Sequence, residues 1–220
     1  AQPPVPAPAR SPELVLLGPS PAPQGRADWV AVTDAWQLTL LPGDLETGLR
    51  ALADRLAGRS LGLVLAGGGA RAFAHIGVLR ELEEAGLHVD RVAGASVGGI
   101  IAAAHATGVD GATLEEMCYA EFVRRRPFSD YRLSGTSLAR GHRIHSAAVR
   151  RLGSDTVIEG LSRQLSVVSV DLVSRLRQVH RRGVLVDATL ATCRLPVLFA
   201  PLALDDGRLL VDGGVLDNMP

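Results

Sequence analysis

The sequence predicts an α/β fold with a mainly parallel central sheet, and three observations carry that expectation. From Leu61 the chain reads as strand, glycine loop, helix, strand, glycine turn and helix within about fifty residues. Leu61 to Ala66 is apolar apart from one glycine, as a strand covered on both faces should be. Both helices of this unit stop at a glycine, Gly86 and Gly108, whose freedom at positive φ suits a helix C-terminus. With 220 residues, 47% of them apolar and 21% charged, the chain is long enough to bury a sizeable core in one or two domains.

Each element follows from local chemistry. Pro3, Pro4, Pro6, Pro8 and Pro12 make residues 1–12 an extended linker that something is expected to precede. Residues 13–59 read as an N-terminal α/β extension. Glu13 to Leu17 and Trp29 to Thr33 are predicted strands, and Asp44 caps a helix whose leucines at 45, 49, 52 and 56 recur at helical spacing before Gly58. Residues 60–220 form the main domain. Its helix from Ala72 to Ala85 carries apolar residues at 72, 73, 76, 79 and 82; a strand follows at Arg91 to Ala95 and a helix at Gly98 to Thr107. Thr113 with Glu116 forms a capping box for a helix that ends before Pro127. Leu202 to Leu204, Asp206-Gly207 and Arg208 to Val211 read as a hairpin with a type I′ turn that delivers Asp212 at a strand end.

Composition excludes several classes. Twenty-three basic residues balance twenty-three acidic ones, so no broad electrostatic grip on nucleic acid is expected. Every cationic residue is arginine, and the lack of lysine removes Schiff-base chemistry and the phosphate-loop lysine. Cys118 and Cys193 form no Cys-x-x-Cys pair, which disfavours a disulfide framework or thiolate zinc site. No apolar run reaches the ~18 residues of a membrane span, and no secretion signal opens the chain. The expected location is cytoplasmic or peripheral to a membrane.

Three constellations carry chemistry. Gly94-Ala95-Ser96-Val97-Gly98 matches G-x-S-x-G between a predicted strand and helix, where the flanking glycines Gly94 and Gly98 let the turn tighten until the hydroxyl stands exposed. Gly67-Gly68-Gly69-Ala70-Arg71 joins a strand to a helix, so its amides suit either a dinucleotide pyrophosphate or the oxyanion of an acyl transfer. The spacing Gly67, Gly69, Ala72 satisfies G-x-G-x-x-A. The ribose-binding acid is not where the nucleotide reading wants it, however, since Asp90 precedes the second strand. Asp212-Gly213-Gly214 puts a carboxylate at a strand end, although alone it reads more readily as an ordinary Asp-Gly turn. A Ser-Asp-His triad has one candidate, Asp171 with His180, in an arginine-rich and therefore solvated context. His142 and His145 read as a surface pair and His75 as a packing residue. Arg124, Arg125 and Arg126 complement a helix C-terminus. Arg132, Arg140, Arg143, Arg150 and Arg151 follow with only Asp130 opposing them, a basic stretch expected at the mouth of the site.

Taken together and in this order, the three constellations resemble the patatin-like phospholipase family. The run from Gly67 to Leu79 is similar to the bacterial branch related to neuropathy target esterase, as are Cys193-Arg194-Leu195-Pro196 and Asp217-Asn218-Met219-Pro220. The resemblance covers Ser60 to Pro220 and implies a three-layer α/β fold. It also implies a serine hydrolase of lipid acyl esters working through a dyad of Ser96 and Asp212, without cofactor, histidine or metal. The loop from Gly67 to Arg71 would form the oxyanion hole, Gly94 and Gly98 the nucleophile elbow, and Gly213 and Gly214 the Asp-Gly-Gly motif. Its partners would be a lipid ester and, peripherally, a membrane, with no nucleic acid; relatives often carry upstream regulatory domains. They have glycine where this chain has Ala72, and they continue beyond Pro220, so closing elements of the domain are expected further on. A non-catalytic nucleotide-binding module using Gly67 and Gly69 is the alternative.

Overall fold

A computed structural model describes residues 13–17, 37–41, 45–132, 135 and 137–220. Strand β1 (Glu13–Leu17) pairs in parallel with β2 (Gln37–Leu41), a strand the sequence reading did not anticipate, and helix α1 (Leu45–Leu56) follows. The strand expected at Trp29 to Thr33 and the cap expected at Asp44 lie outside the described residues.

The main sheet begins with β3 (Leu61–Leu65), which runs parallel to β4 (Val89–Ala95). Between them, residues Gly69–Phe73 form a turn of 3-10 helix that passes into α2 (Ala74–Glu84), so the helix expected from Ala72 starts two residues later. Asp90 falls inside β4, at its second residue, and not before it. Helix α3 (Ser96–Ala106) leaves β4 without a loop and buries almost every residue. Its Gly98, Gly99, Ala102, Ala103 and Ala104 are small enough to let it sit tightly on the sheet, and at Gly98 an added Cβ would collide with the carbonyls of Leu65 and Ala66.

Helix α4 (Gly111–Cys118) continues as one π-helical turn (Tyr119–Arg124). Its cap is Asp110, whose carboxylate accepts the Thr113 amide at 2.7 Å, so Thr113 is the capped residue and not the capping one expected. Helix α5 (His142–Leu152) then leads to the central strand β5 (Gln164–Asp171). The remaining elements are β6 (Leu176–His180), α6 (Leu185–Thr192), β7 (Leu202–Ala203) and β8 (Leu209–Asp212). Around the β7–β8 turn only Gly207 has positive φ, and Leu204 closes the loop through Gly207 and Arg208. A type I′ turn needs positive φ at both central residues, so that expectation is corrected to a turn ending in one left-handed glycine.

Strand β5 organises the sheet. One edge pairs Val167 to Asp171 antiparallel with β6. The other edge is shared: Gln164 to Val168 pair in parallel with β4, and Ser169 to Asp171 pair antiparallel with β8. The C-terminal tips of β4 and β8 therefore meet end to end, with Ala95 opposite Val168 and Asp212 opposite Ser169.

The arginine-rich stretch is more compensated than its sequence suggests. Glu121, 3% exposed, accepts from Arg125 at 2.7 Å, Arg150 at 2.7 Å and Arg151 at 2.7 Å, so Asp130 is not the lone acid facing these cations. Burial pushes the Glu121 carboxyl up, but hydrogen bonds from Arg150 and Arg151 outweigh it and hold the group at about 2. A carboxylate depressed from 4.5 adds stability above that value and loses it as pH falls toward about 2. Glu121→Gln is expected to cost about 2 kcal/mol at pH 7, less than a wholly buried pair because the guanidiniums are partly solvated. Urea unfolding midpoints should show that gap shrinking at pH 3.

Candidate active site

The backbone at Ser96 is left-handed, with φ +54°, a conformation uncommon for a residue with a side chain and held here by the tight strand-to-helix turn. Gly94 is required beneath it, since an added Cβ would lie 2.7 Å from the Gly98 carbonyl. Thr192, fully buried at the end of α6, braces the turn: its hydroxyl accepts the Ser96 amide at 2.8 Å and donates to the Val168 carbonyl at 2.6 Å. The Cys193 thiol rests 3.6 Å from the Ser96 carbonyl, and burial followed by the Asp212 charge raises it well above an ordinary thiol. It is therefore a packing group and not a rival nucleophile.

Ser96 Oγ donates to Asp212 Oδ2 at 2.7 Å. The second carboxylate oxygen, Oδ1, accepts the Gly214 amide at 2.8 Å, which aims the group at the serine. Asp212 is 2% exposed; burial raises its pKa above the ordinary 3.8, against the lowering pull of the Ser96 and Gly214 hydrogen bonds. Gly213 must be glycine for the strand tips to meet, since a Cβ there would strike the Val168 carbonyl and lie 3.4 Å from Ala95 Cβ.

The glycine loop lies over the serine, with the Cβ direction of Gly67 ending 3.0 Å from Ser96 Cβ. Its five residues divide into two sets. The Gly67 amide donates to the Asn218 carbonyl at 3.0 Å and the Arg71 amide to the Gly68 carbonyl at 3.2 Å, so both are already engaged. Among the described residues, the amides of Gly68, Gly69 and Ala70 carry no such bond. Gly69, at φ +55°, turns the chain between them. His75 does more than pack: its Nε2 lies 2.9 Å from the Ala66 carbonyl and pins the start of the loop. Asn218 Nδ2 donates to the Gly67 carbonyl at 3.1 Å and its Oδ1 fills the space beside Gly67 and Gly214. Neither Thr192 nor Asn218 was singled out by the sequence reading. Asn218 stood within a quoted motif, whereas Thr192 carried no signal beyond its place before Cys193.

The alternatives do not assemble. Asp171 and His180 sit at opposite ends of the β5–β6 ladder, opposite Leu176 and Val167 respectively. Asp171 is buried, not solvated as expected. Its carboxylate accepts from Ser174 Oγ and from the Val173, Ser174 and Leu209 amides, and the Ser174 bond leads in holding it at about 2. The His180 ring bonds Ser169 Oγ at 2.7 Å. Asp90 lies at the start of β4, the far end of that strand from the glycine loop, where it cannot meet a ribose. His142 and His145 are both exposed on α5, and no group of three metal-ligating side chains occurs among the described residues. No described helix is long and apolar enough to cross a membrane.

Comparison with known proteins identifies the pattern. The family model of patatin-like phospholipases matches residues 63–220. An uncharacterized NTE family protein of Mycobacterium tuberculosis is 42% identical over 173 residues, covering 79% of this chain and 29% of the relative. A protein of Candida glabrata named a lysophospholipase is 33% identical over 174 residues, covering 77% of this chain and 10% of its own. The chain thus spans less than a third of the length of these relatives. The crystal structure of VipD from Legionella pneumophila superposes with a TM-score of 0.52 at 16% identity, over 73% of this chain and 47% of that one, which is a likeness of fold.

Thr192→Val tests the brace beneath the serine. It strands the buried Ser96 amide and Val168 carbonyl, so an unfolding free-energy loss of about 1–3 kcal/mol is expected, with Thr192→Ser restoring most of it.

Proposed function

Because the chain belongs to the patatin-like phospholipase family, we propose that it is a serine acyl hydrolase of lipid carboxylic esters, with lysophospholipids or phospholipids as its substrates. The observation that carries this reading is the 2.7 Å hydrogen bond from Ser96 Oγ to a buried carboxylate, made at a left-handed elbow under a glycine loop. A carboxylate with the ordinary pKa is a weak base toward a serine hydroxyl. Burial of Asp212 strengthens it, and the short bond already defines the path of the proton.

In this mechanism Ser96 Oγ attacks the ester carbonyl while its proton passes to Asp212 Oδ2. The tetrahedral oxyanion is held by amides of the loop, with Gly68, Gly69 and Ala70 left to donate because Gly67 and Arg71 are engaged within the chain. Asp212 then protonates the departing alcohol, which leaves Ser96 acylated. Water, deprotonated by the same carboxylate, attacks the acyl carbonyl; Ser96 Oγ then leaves, takes that proton back from Asp212, and the fatty acid is released. Apolar side chains flank both segments of the site: Leu195 and Val197 follow Cys193, and Leu216 and Met219 follow the Asp-Gly-Gly motif, all at least half exposed. That surface suits an acyl chain better than a polar substrate.

A fluorophosphonate probe is expected to label the protein and to lose all labelling in Ser96→Ala. Asp212→Asn should slow lysophosphatidylcholine hydrolysis about 10²–10⁴-fold. The rate should fall as pH drops through an apparent pKa above 3.8, because protonated Asp212 cannot accept the serine proton. A folded protein that the probe does not label would end this reading.

A further inference from the structure

Between the π-helical turn and α5 the surface opens into a cavity of about 390 Å³, with neither Ser96 nor Asp212 in its lining. Its lining includes Arg125, Arg143, Arg150, His142, Ser146 and Glu121. Three arginines and one carboxylate line it, and Arg151, outside the lining, also donates to Glu121. Asp130 does not line the space; its Oδ2 accepts the Arg143 amide at 3.2 Å.

The cluster leaves donor capacity for a guest. Each guanidinium offers five N–H groups in a fixed fork. Among the described hydrogen bonds, Glu121 takes two from Arg150, through Nε and Nη2, and one from Arg125, while Ser129 Oγ takes one from Arg143. Glu121 holds Arg125 and Arg150 in place, so part of their ordering cost is met before anything binds. The volume lies within the ~300–1,000 Å³ of small-ligand sites. No Phe, Tyr or Trp ring stands in the lining to stack a nucleobase, its one ring being the His142 imidazole, which argues for a phosphate on an aliphatic or sugar group over a nucleotide.

We propose that this cavity is a phosphate-binding site, in which Arg125, Arg143 and Arg150 grip a phosphomonoester through forked hydrogen bonds and Ser146 adds a hydroxyl. The surplus of positive charge over Glu121 matches a dianion. The ligand is either the phosphate of a lipid head group at a membrane surface or a soluble phosphate ester. The site stands whether or not Ser96 is a nucleophile.

Calorimetric titration of the full chain with glycerol 3-phosphate tests it. Saturable binding is expected, weakened about tenfold by Arg143→Gln and further by adding Arg125→Gln. Glu121 retains Arg150 and Arg151 in both variants, and Arg143 is exposed, so the fold should survive. Arg124→Gln, whose guanidinium lies over Tyr119 and outside the cavity, should bind as the parent does. Cosedimentation with phosphatidylcholine vesicles carrying 10% phosphatidic acid separates the sources. Pelleting that glycerol 3-phosphate competes away, and that Arg143→Gln loses, assigns the site to a head group; titration without pelleting assigns it to a soluble ester. No saturable titration, or a titration that Arg143→Gln and Arg124→Gln weaken equally, overturns the proposal. Fluorophosphonate labelling of Arg143→Gln should match the parent, which keeps this outcome separate from that of the hydrolase reading.

Discussion

The molecule depends on one shared strand edge. Strand β5 offers the same side of its backbone first to β4 and then, running the other way, to β8, so two strand tips that are far apart in sequence abut at consecutive rungs. Side chains that leave those tips enter one space. Ser96 follows Ala95 directly, Asp212 is the last residue of β8, and the 2.7 Å bond between them is a consequence of register. A slip of one residue in the β5–β8 pairing would turn the carboxylate to the opposite face of the sheet, and one in the β4–β5 pairing would carry the serine away from it.

That juxtaposition carries local costs which neighbouring groups offset. A non-glycine residue at φ +54° is strained by roughly 1 kcal/mol or more, and three strands of support converge beneath it. Thr192 ties its amide to β5, Gly94 and Gly98 remove the atoms that would clash, and Gly213 lets β8 pass close to Val168. Asn218 ties the glycine loop to the segment after Asp212, so the loop, the elbow and the carboxylate form one hydrogen-bonded body. Rigidity of this kind holds the serine hydroxyl, the carboxylate and the loop amides in one fixed arrangement.

Some of this was legible in the chain and some was not, for identifiable reasons. The elbow could be read because glycine on either side of a serine has a steric cause that needs no partner. The main helices and strands from Leu61 to Ala106 could be read because their apolar spacing and glycine stops are local. Strand β5 went unread, although its alternating Val-rich run was a usable signal, and with it the burial of Asp171 was misjudged as solvation. The arginine stretch looked opposed by Asp130 alone because its main counter-charge, Glu121, sits 29 and 30 residues before Arg150 and Arg151. Capping was displaced from Thr113 to Asp110 because the aspartate three residues earlier accepts the Thr113 amide and so starts the helix sooner.

What the sequence determined by itself is whatever short-range sterics and periodicity dictate: the alternation of strands and helices, the glycine-flanked serine, and the glycine loop between its strand and helix. Only the tertiary structure decided that Asp212 and not Asp171 meets Ser96, that Gly67 and Arg71 spend their amides inside the chain, and that Thr192 and Asn218 hold the site together. These are bonds between residues 96 to 151 positions apart, except for the loop's own Arg71 contact. Their existence depends on strand order and register, which no local pattern encodes.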